Sequence, residues 1–203
     1  MDKEEFFYLK PEAKLFDFVM DCKKKAKALC GEQQYLEDTP HLTLYVNHFE
    51  NQKEICDMIE TIELPNPQIQ IKGWTTFYDD PITNGHSLVL ELSDQSLQKL
   101  QAFQMELVTK TSQYKAKEHL KRYSNTNTYS NEMKDSLHKY GFPFAGLHWR
   151  AHFTIASFKK DDYNKVWDVL QKIIIPRESQ LSSLYYSEIL PENSFRTIAK
   201  KDF

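Results

Sequence analysis

Glycine is scarce in this chain, which has 5 glycines in 203 residues, about a third of the ~14 that average usage would give. Sites that hold a phosphate on backbone amides depend on several glycines within one short loop. The composition therefore argues against a glycine-rich phosphate loop. If the protein handles phosphate, it must do so with side chains.

Cysteine and long apolar runs are also lacking. The three cysteines, Cys22, Cys30 and Cys56, are odd in number and have no CxxC spacing, which argues against a disulfide framework and against a thiolate zinc site. No apolar run approaches the ~18 residues of a membrane span, and the charged start MDKEEFFYLK has no apolar signal region. We therefore expect a cytoplasmic protein with reduced thiols and no membrane partner.

An excess of positive charge is missing as well. The chain has 26 Lys and Arg against 29 Asp and Glu, a net charge of -3, which argues against non-specific coating of duplex nucleic acid. A basic run at residues 113–123 could meet a polyanion, or it could be a solvated helix face. The hydrophobic content of 40% and the 13% of aromatic residues are typical of a globular chain.

The hydrophobic periodicity predicts strands and helices in the order β-α-β-α-β-β-α, then β-α-β-β. The helical pattern places Pro11 as the first residue of a helix that ends at Gly31, and Gln104 is a polar break in the apolar stripe of a later helix. This order favours antiparallel sheets with helices on one face over a doubly wound parallel sheet. We predict an α+β fold in one compact, two-lobed domain over residues 1–203.

Residues 112–147 are the least regular part of the sequence. They are polar and include the low-complexity stretch 124–128. Their pattern predicts one short helix from Ser130 to Tyr140 that ends at Gly141. We interpret this segment as an excursion from the core, either a substrate-facing flap or only a long loop.

One short pattern occurs twice, as His41-Leu42-Thr43-Leu44 and as His152-Phe153-Thr154-Ile155. In a strand, residues i and i+2 point to the same face, so each His shares a face with its Thr while the apolar residues face the core. The same alternation adds Tyr45 beside the first pair, and Arg150 and His148 beside the second. A lone His on a strand is usually structural, but two in matched frames point to a shared site.

Two histidines, two threonines and an arginine suit a phosphodiester. One His takes a proton from the nucleophile and the other gives one to the leaving oxygen, because an unperturbed pKa near ~6.5 allows both roles. The Thr hydroxyls bond the non-bridging oxygens, with Arg150 as an anion anchor. This set needs neither a metal nor another cofactor.

With these motifs the chain resembles the 2H phosphoesterase superfamily, named for two His-x-Thr/Ser motifs. The superfamily includes RNA 2′,3′-cyclic phosphodiesterases (also called 2′-5′ RNA ligases). The resemblance covers essentially the whole chain. It implies a bilobed fold of two antiparallel sheets, related by a pseudo-two-fold axis around a central cleft, with helices on the outer faces. By analogy, His152 is the general base and His41 the general acid, and the two roles exchange if the substrate reacts in the opposite direction. The sequence departs from the pattern in the length of segment 112–147, and in Ala151, where proline is common.

Other interpretations of the same residues remain open. His148 and His152 have the spacing of two zinc ligands on a helix, but a strand separates them by ~13 Å, and the glutamate of HExxH is missing. Trp149 and Tyr45 could stack on a nucleobase or pack in the core. The remaining histidines have no motif context; these are His48, His86, His119 and His138.

Two functions follow from the sequence. The first is a metal-independent phosphodiesterase that cleaves a 2′-5′ or 2′,3′-cyclic phosphodiester in RNA ends or in oligo- or cyclic nucleotides. The alternative is a non-catalytic nucleotide- or RNA-end-binding module, a sensor or sponge, that uses the same cleft. In either case the partner is a small nucleotide or a single-stranded RNA end, and we expect a monomer.

Overall fold

The computed structural model describes residues 3–64, 66–118, 120–191 and 194–203. Within these ranges the α+β class is confirmed, with strands β1 (Glu4–Pro11), β2 (Leu42–Asn47), β3 (Gln68–Phe77), β4 (His86–Leu92), β5 (His152–Phe158), β6 (Glu178–Ile189) and β7 (Phe195–Asp202). The helices are α1 (Ala13–Cys30), α2 (Gln52–Thr61), α3 (Asp94–Thr111), α4 (Asn131–Tyr140) and α5 (Lys160–Leu170). None of the described helices is long and apolar enough to cross a membrane.

The strands are all antiparallel and follow the order β2-β1-β6-β3-β4-β5, with β7 also paired to β6. The two sheets expected from the resemblance, β7-β6-β1-β2 and β3-β4-β5, are two parts of this one order. They join where residues 68–70 of β3 pair with residues 178–180 of β6. The two ends of the order, β2 and β5, come back within 8 Å of each other at some of their Cα atoms. A cleft forms between them.

Two β-α-β units support this cleft, β1-α1-β2 and β4-α3-β5. The apolar stripe of α1 is fully buried at Leu15, Val19 and Ala26, as its helical spacing predicts. Helix α1 packs against β5 of the other unit, and α3 packs against β2. Each helix therefore supports the motif strand of the opposite unit.

Helix boundaries agree with the sequence signals in most places. Ser130 caps α4 by accepting a hydrogen bond from the Met133 amide (3.2 Å), and Gly141 follows it at φ 71°. The predicted start of α1 at Pro11 is wrong, because Pro11 ends β1 opposite Leu181 and Glu12 precedes the helix. Proline has no amide to donate and is tolerated at a strand end. The sequence Pro191-Glu192-Asn193 is typical of a turn between two strands, and residues 192–193 lie outside the described residues.

Candidate active site

A cavity of about 620 Å³ opens between β2 and β5. Its wall includes all four motif residues, which are His41, Thr43, His152 and Thr154. The structure thus brings the two motifs to one shared space. The volume is within the range of small-molecule pockets, about 300–1,000 Å³.

Both motif strands carry a β-bulge immediately after the threonine. The extra residue is Leu44 after Thr43, and Ile155 after Thr154, each opposite an unbroken partner strand. Both extra residues are fully buried. A bulge places two residues opposite one, so the alternation of faces resets beyond it. Each bulge thus interrupts the cavity-facing run after the threonine, and beyond it in β2 Val46 lines the cavity.

The two imidazoles are oriented in the same way. The Nδ1 atom of His41 lies 2.6 Å from the Thr39 carbonyl oxygen, and Nδ1 of His152 lies 2.6 Å from the Arg150 carbonyl oxygen. A carbonyl oxygen can only accept, so the proton of the neutral ring is on Nδ1. The Nε2 atom of each ring is then the lone-pair nitrogen that can exchange a proton with a ligand.

The surroundings of the two rings differ. His41 makes edge contacts with three aromatic rings, Phe6, Tyr8 and Phe195, at centroid distances of 5.4–5.5 Å. Burial lowers the pKa of His41 to about 4, and the charges of Lys23 and His152 add to this lowering. The Thr39 carbonyl acts in the opposite direction by stabilising the charged ring.

His152 has a less enclosed position beside one ring, Phe77, at 4.9 Å. Burial again lowers its pKa, while the Arg150 carbonyl and the carboxylates of Asp80 and Glu91 oppose the shift. Both rings are therefore biased toward the neutral form.

Of the predicted substrate contacts, Arg150 and Trp149 line the cavity. Arg150 is already engaged: it forms an ion pair with Glu91, with Nε 3.1 Å from Oε1, and it lies over the Phe77 ring at 4.5 Å. Trp149 is 3% exposed and donates its indole N–H to the Thr43 carbonyl at 2.8 Å. Trp149 therefore links the chain just before the second motif to the backbone of the first motif.

Tyr45 does not line the cavity, contrary to the alternation that put it beside Thr43. Its side chain is fully buried, and its hydroxyl donates to the Tyr140 carbonyl at the end of α4. The bulge at Leu44 is the reason, because it turns Tyr45 to the face opposite Thr43. We therefore no longer propose Tyr45 as a substrate contact.

Two buried polar side chains brace the bulges. Gln104 of α3 donates to the Leu44 carbonyl (3.0 Å) and accepts from the Gly146 amide (3.1 Å). Lys23 of α1 donates to the Ile155 carbonyl (2.9 Å) and to the Tyr35 carbonyl. The sequence marks Gln104 as a break in an apolar stripe. Lys23 was missed, although it occupies the buried face four residues after Val19.

Segment 112–147 forms part of the cavity wall. Its contributions to the lining are Arg122, Tyr123, Met133, Phe142 and Phe144. The Arg122 guanidinium pairs with the Glu4 carboxylate of β1, which fastens the segment to the sheet. Of the two readings of this segment, the wall contacts favour the substrate-facing one.

The zinc-site alternative would need a cluster of ligating side chains. No group of three or more His, Cys, Asp and Glu side chains that could hold a metal ion is found among the described residues. His148 lines the cavity, whereas His48, His86 and His138 are not among the described lining residues. His119 lies outside the described residues.

Comparisons with known proteins give matches at the level of structure. Neither family models nor curated proteins match this chain. LigT of E. coli in apo form matches with a TM-score of 0.55 at 11% identity, covering 99% of this chain and 97% of its own. LigT complexed with NADP+ matches with a TM-score of 0.53 at 10% identity, covering 100% of this chain and 98% of its own. A protein described as a phosphoesterase matches with a TM-score of 0.52 at 12% identity, covering 100% of this chain and 99% of its own. The chain thus shares its whole fold with these proteins.

Proposed function

We propose that this chain is a 2H-type phosphodiesterase that cleaves a 2′-5′ or 2′,3′-cyclic phosphodiester in RNA ends or in oligo- or cyclic nucleotides, without a metal. One observation carries the proposal: His41 and His152 enter one cavity from opposite strands, and each holds its Nδ1 proton on a backbone carbonyl. Binding alone does not require two such rings. Taking a proton from the attacking water and giving one to the leaving oxygen does.

The reaction uses the two Nε2 atoms in opposite senses. Nε2 of His152 takes a proton from the attacking water as its oxygen bonds to phosphorus. Nε2 of His41, protonated when the anionic substrate binds, gives its proton to the oxygen that leaves as the second P–O bond breaks. Solvent then resets both rings. A negative phosphate beside His41 favours its charged form, which offsets the effect of burial.

The remaining lining residues support the phosphate and the nucleoside. The hydroxyls of Thr43 and Thr154 donate to the non-bridging oxygens, where negative charge grows in the transition state. Phe142 and Phe144 offer apolar surface to a base or ribose beyond the phosphate. LigT, which shares the fold, has been crystallised with NADP+ and with 3′-AMP, ligands that combine a nucleoside with phosphate.

A substrate panel assayed in EDTA tests this proposal. The panel contains 2′,3′-cyclic mononucleotides, RNA with cyclic ends, 2′-5′ oligoadenylates and cyclic di- and trinucleotides, with products identified by mass spectrometry. We expect turnover of at least one member by the native protein and almost none by the double variant His41→Ala/His152→Ala. His138→Ala, which removes an exposed histidine of α4, is the matched control and should keep full activity.

Two results would overturn the proposal. One is turnover that survives in the double variant. The other is tight, stoichiometric binding of a panel member with no product, which would instead support the non-catalytic sensor or sponge.

A further inference from the structure

Lys23 and Gln104 occupy equivalent positions in the two halves of the molecule. Each is the eleventh residue of an 18-residue helix, and each bonds the carbonyl of the bulge residue in the opposite unit's motif strand. Each also bonds a residue six positions before a motif histidine, Tyr35 at φ 72° and Gly146 at φ 62°. One brace has thus been built twice, once with a cation and once with a neutral amide.

The two side chains differ in the hydrogen-bonding groups that remain after their two backbone contacts. Gln104 uses an N–H toward one partner and its oxygen toward the other. Lys23 has only donors, and its two partners are both carbonyls. An ammonium has three N–H groups, so one remains after these two bonds. Lys23 lines the cavity, whereas Gln104 is not among its described lining residues.

The charge of Lys23 is also without a direct counter-ion. The other cationic side chains of the wall, Arg122 and Arg150, form ion pairs with Glu4 and Glu91. Lys23 is 2% exposed, and no carboxylate lies within 4 Å of it among the described residues.

Asp38 acts on Lys23 through its field without such contact, and burial raises the pKa of its own carboxyl to about 6. Burying an ammonium without a paired anion is costly. An anion in the cavity would complete this arrangement.

We propose that Lys23 is a phosphate-binding residue: its third N–H donates to a non-bridging oxygen of a phosphate held between His41 and His152, while its other two N–H groups fix the second motif and the loop before the first. The proposal takes its substrate class from the proposed function. Binding of the phosphate group itself does not depend on turnover. The equivalent Gln104 has the bracing role alone.

Calorimetric titration with inorganic phosphate tests this directly. Lys23→Gln removes the charge and keeps an N–H for the bulge carbonyl, Lys23→Arg keeps the charge, and Gln104→Leu removes the neutral brace. We expect Lys23→Gln to weaken phosphate binding about 10- to 100-fold, the loss expected for a hydrogen bond to a charged group. Lys23→Arg should keep most of the affinity. Gln104→Leu should lower the melting temperature and leave the affinity of the folded protein unchanged.

A second readout needs neither ligand nor turnover. The charge of Lys23 lowers the pKa of His41, so Lys23→Gln should raise that pKa in an NMR titration of the imidazole, and Gln104→Leu should not. The groups that face Lys23 are Asp38, Glu37, Tyr35 and His41, and all are unchanged in both variants.

Several outcomes would overturn the assignment of Lys23. These are phosphate affinity in Lys23→Gln equal to that of the native protein, an equal loss in Gln104→Leu, or no phosphate binding by the native protein. Because these results concern phosphate alone, they are separable from a failed substrate panel. A panel without products but with Lys23-dependent phosphate binding would reject the phosphodiesterase and keep the anion site.

Discussion

The two halves of the cleft, β1-α1-β2 and β4-α3-β5, share a backbone plan. In each half a residue in the left-handed region lies six positions before the motif histidine, the imidazole bonds the carbonyl two positions before it, and a bulge follows the threonine. Helices α1 and α3 supply the crossing braces. The repeated geometry leaves the Nε2 atom of each ring available to a ligand in one cavity.

What surrounds each half is not repeated. His41 lies among three aromatic rings near Lys23, whereas His152 lies beside one ring near the Arg150–Glu91 pair. Acid and base catalysis need groups that differ in protonation, and identical surroundings would give identical pKa values. The duplicated backbone therefore positions the two rings, and in the proposed mechanism the differing side chains around them distinguish acid from base.

Removing one ring at a time has the largest expected effect. His41→Ala and His152→Ala should each lower kcat on an unactivated phosphodiester by about 10²–10⁴, the usual contribution of a general acid or base. On a p-nitrophenyl phosphodiester the leaving oxygen needs no proton. On that substrate His41→Ala should therefore recover most of its activity, and His152→Ala should not.

The measurement is kcat for both variants on both substrates. Recovery of His152→Ala instead of His41→Ala would reverse the roles. Equal loss on the two substrates would contradict a division of labour between the two halves.

Thr43→Val and Thr154→Val probe the oxyanion contacts, where the halves should be alike. Each variant keeps the shape of the side chain and removes one donor, and kcat should fall by about 10²-fold in both, with KM little changed. Steady-state kinetics on the best panel substrate provide the check. A large loss in one variant and none in the other would show that the phosphate contacts one half only.

The value of kcat/KM should increase toward acidic pH. Burial lowers the pKa of both histidines, so above about pH 6.5 the free protein holds both neutral, while the reaction needs one protonated. We expect kcat/KM to rise by up to about tenfold per unit as the pH falls from 8 to 7. A profile that rises toward alkaline pH would contradict the assigned protonation states.

The sequence predicts the parts of this site that follow a local pattern. Period two identifies the faces of His41, Thr43, His152 and Thr154, and helix signals give α4 almost to the residue. It fails at Tyr45, because the bulge that turns this residue inward follows from pairing with β1 and has no local signature.

Long-range partners escape the sequence for the same reason. The pairing of Arg150 with Glu91 joins residues 59 positions apart, and the Lys23 brace joins residues 132 apart. Lys23 belongs to a run of three lysines that suggests a solvated surface, although its position places it on the buried stripe of α1. The position of Lys23 on the apolar stripe of α1, not its place in the lysine run, indicates that it is buried.

Gln104→Leu tests the neutral brace by stability. It leaves the Leu44 carbonyl and the Gly146 amide without their partner in a buried setting, which should cost about 1–3 kcal/mol in the free energy of unfolding measured in urea. Gln101→Leu is the matched control, because Gln101 bonds the Gly146 carbonyl from a half-buried position where water can replace it. A loss in the control as large as in Gln104→Leu would contradict a special role for the bulge.

The smallest expected effect tests whether aromatic packing separates the two rings. Phe195→Ala opens the edge contact on His41 and Phe77→Ala opens the one on His152, so each should admit water to one imidazole. Since burial is the main cause of both lowered pKa values, each variant should raise the pKa of its own histidine and leave the other nearly unchanged. NMR titration of both rings in both variants measures this. If the two pKa values move together in either variant, the rings titrate as one coupled pair, and aromatic packing does not set the two pKa values separately.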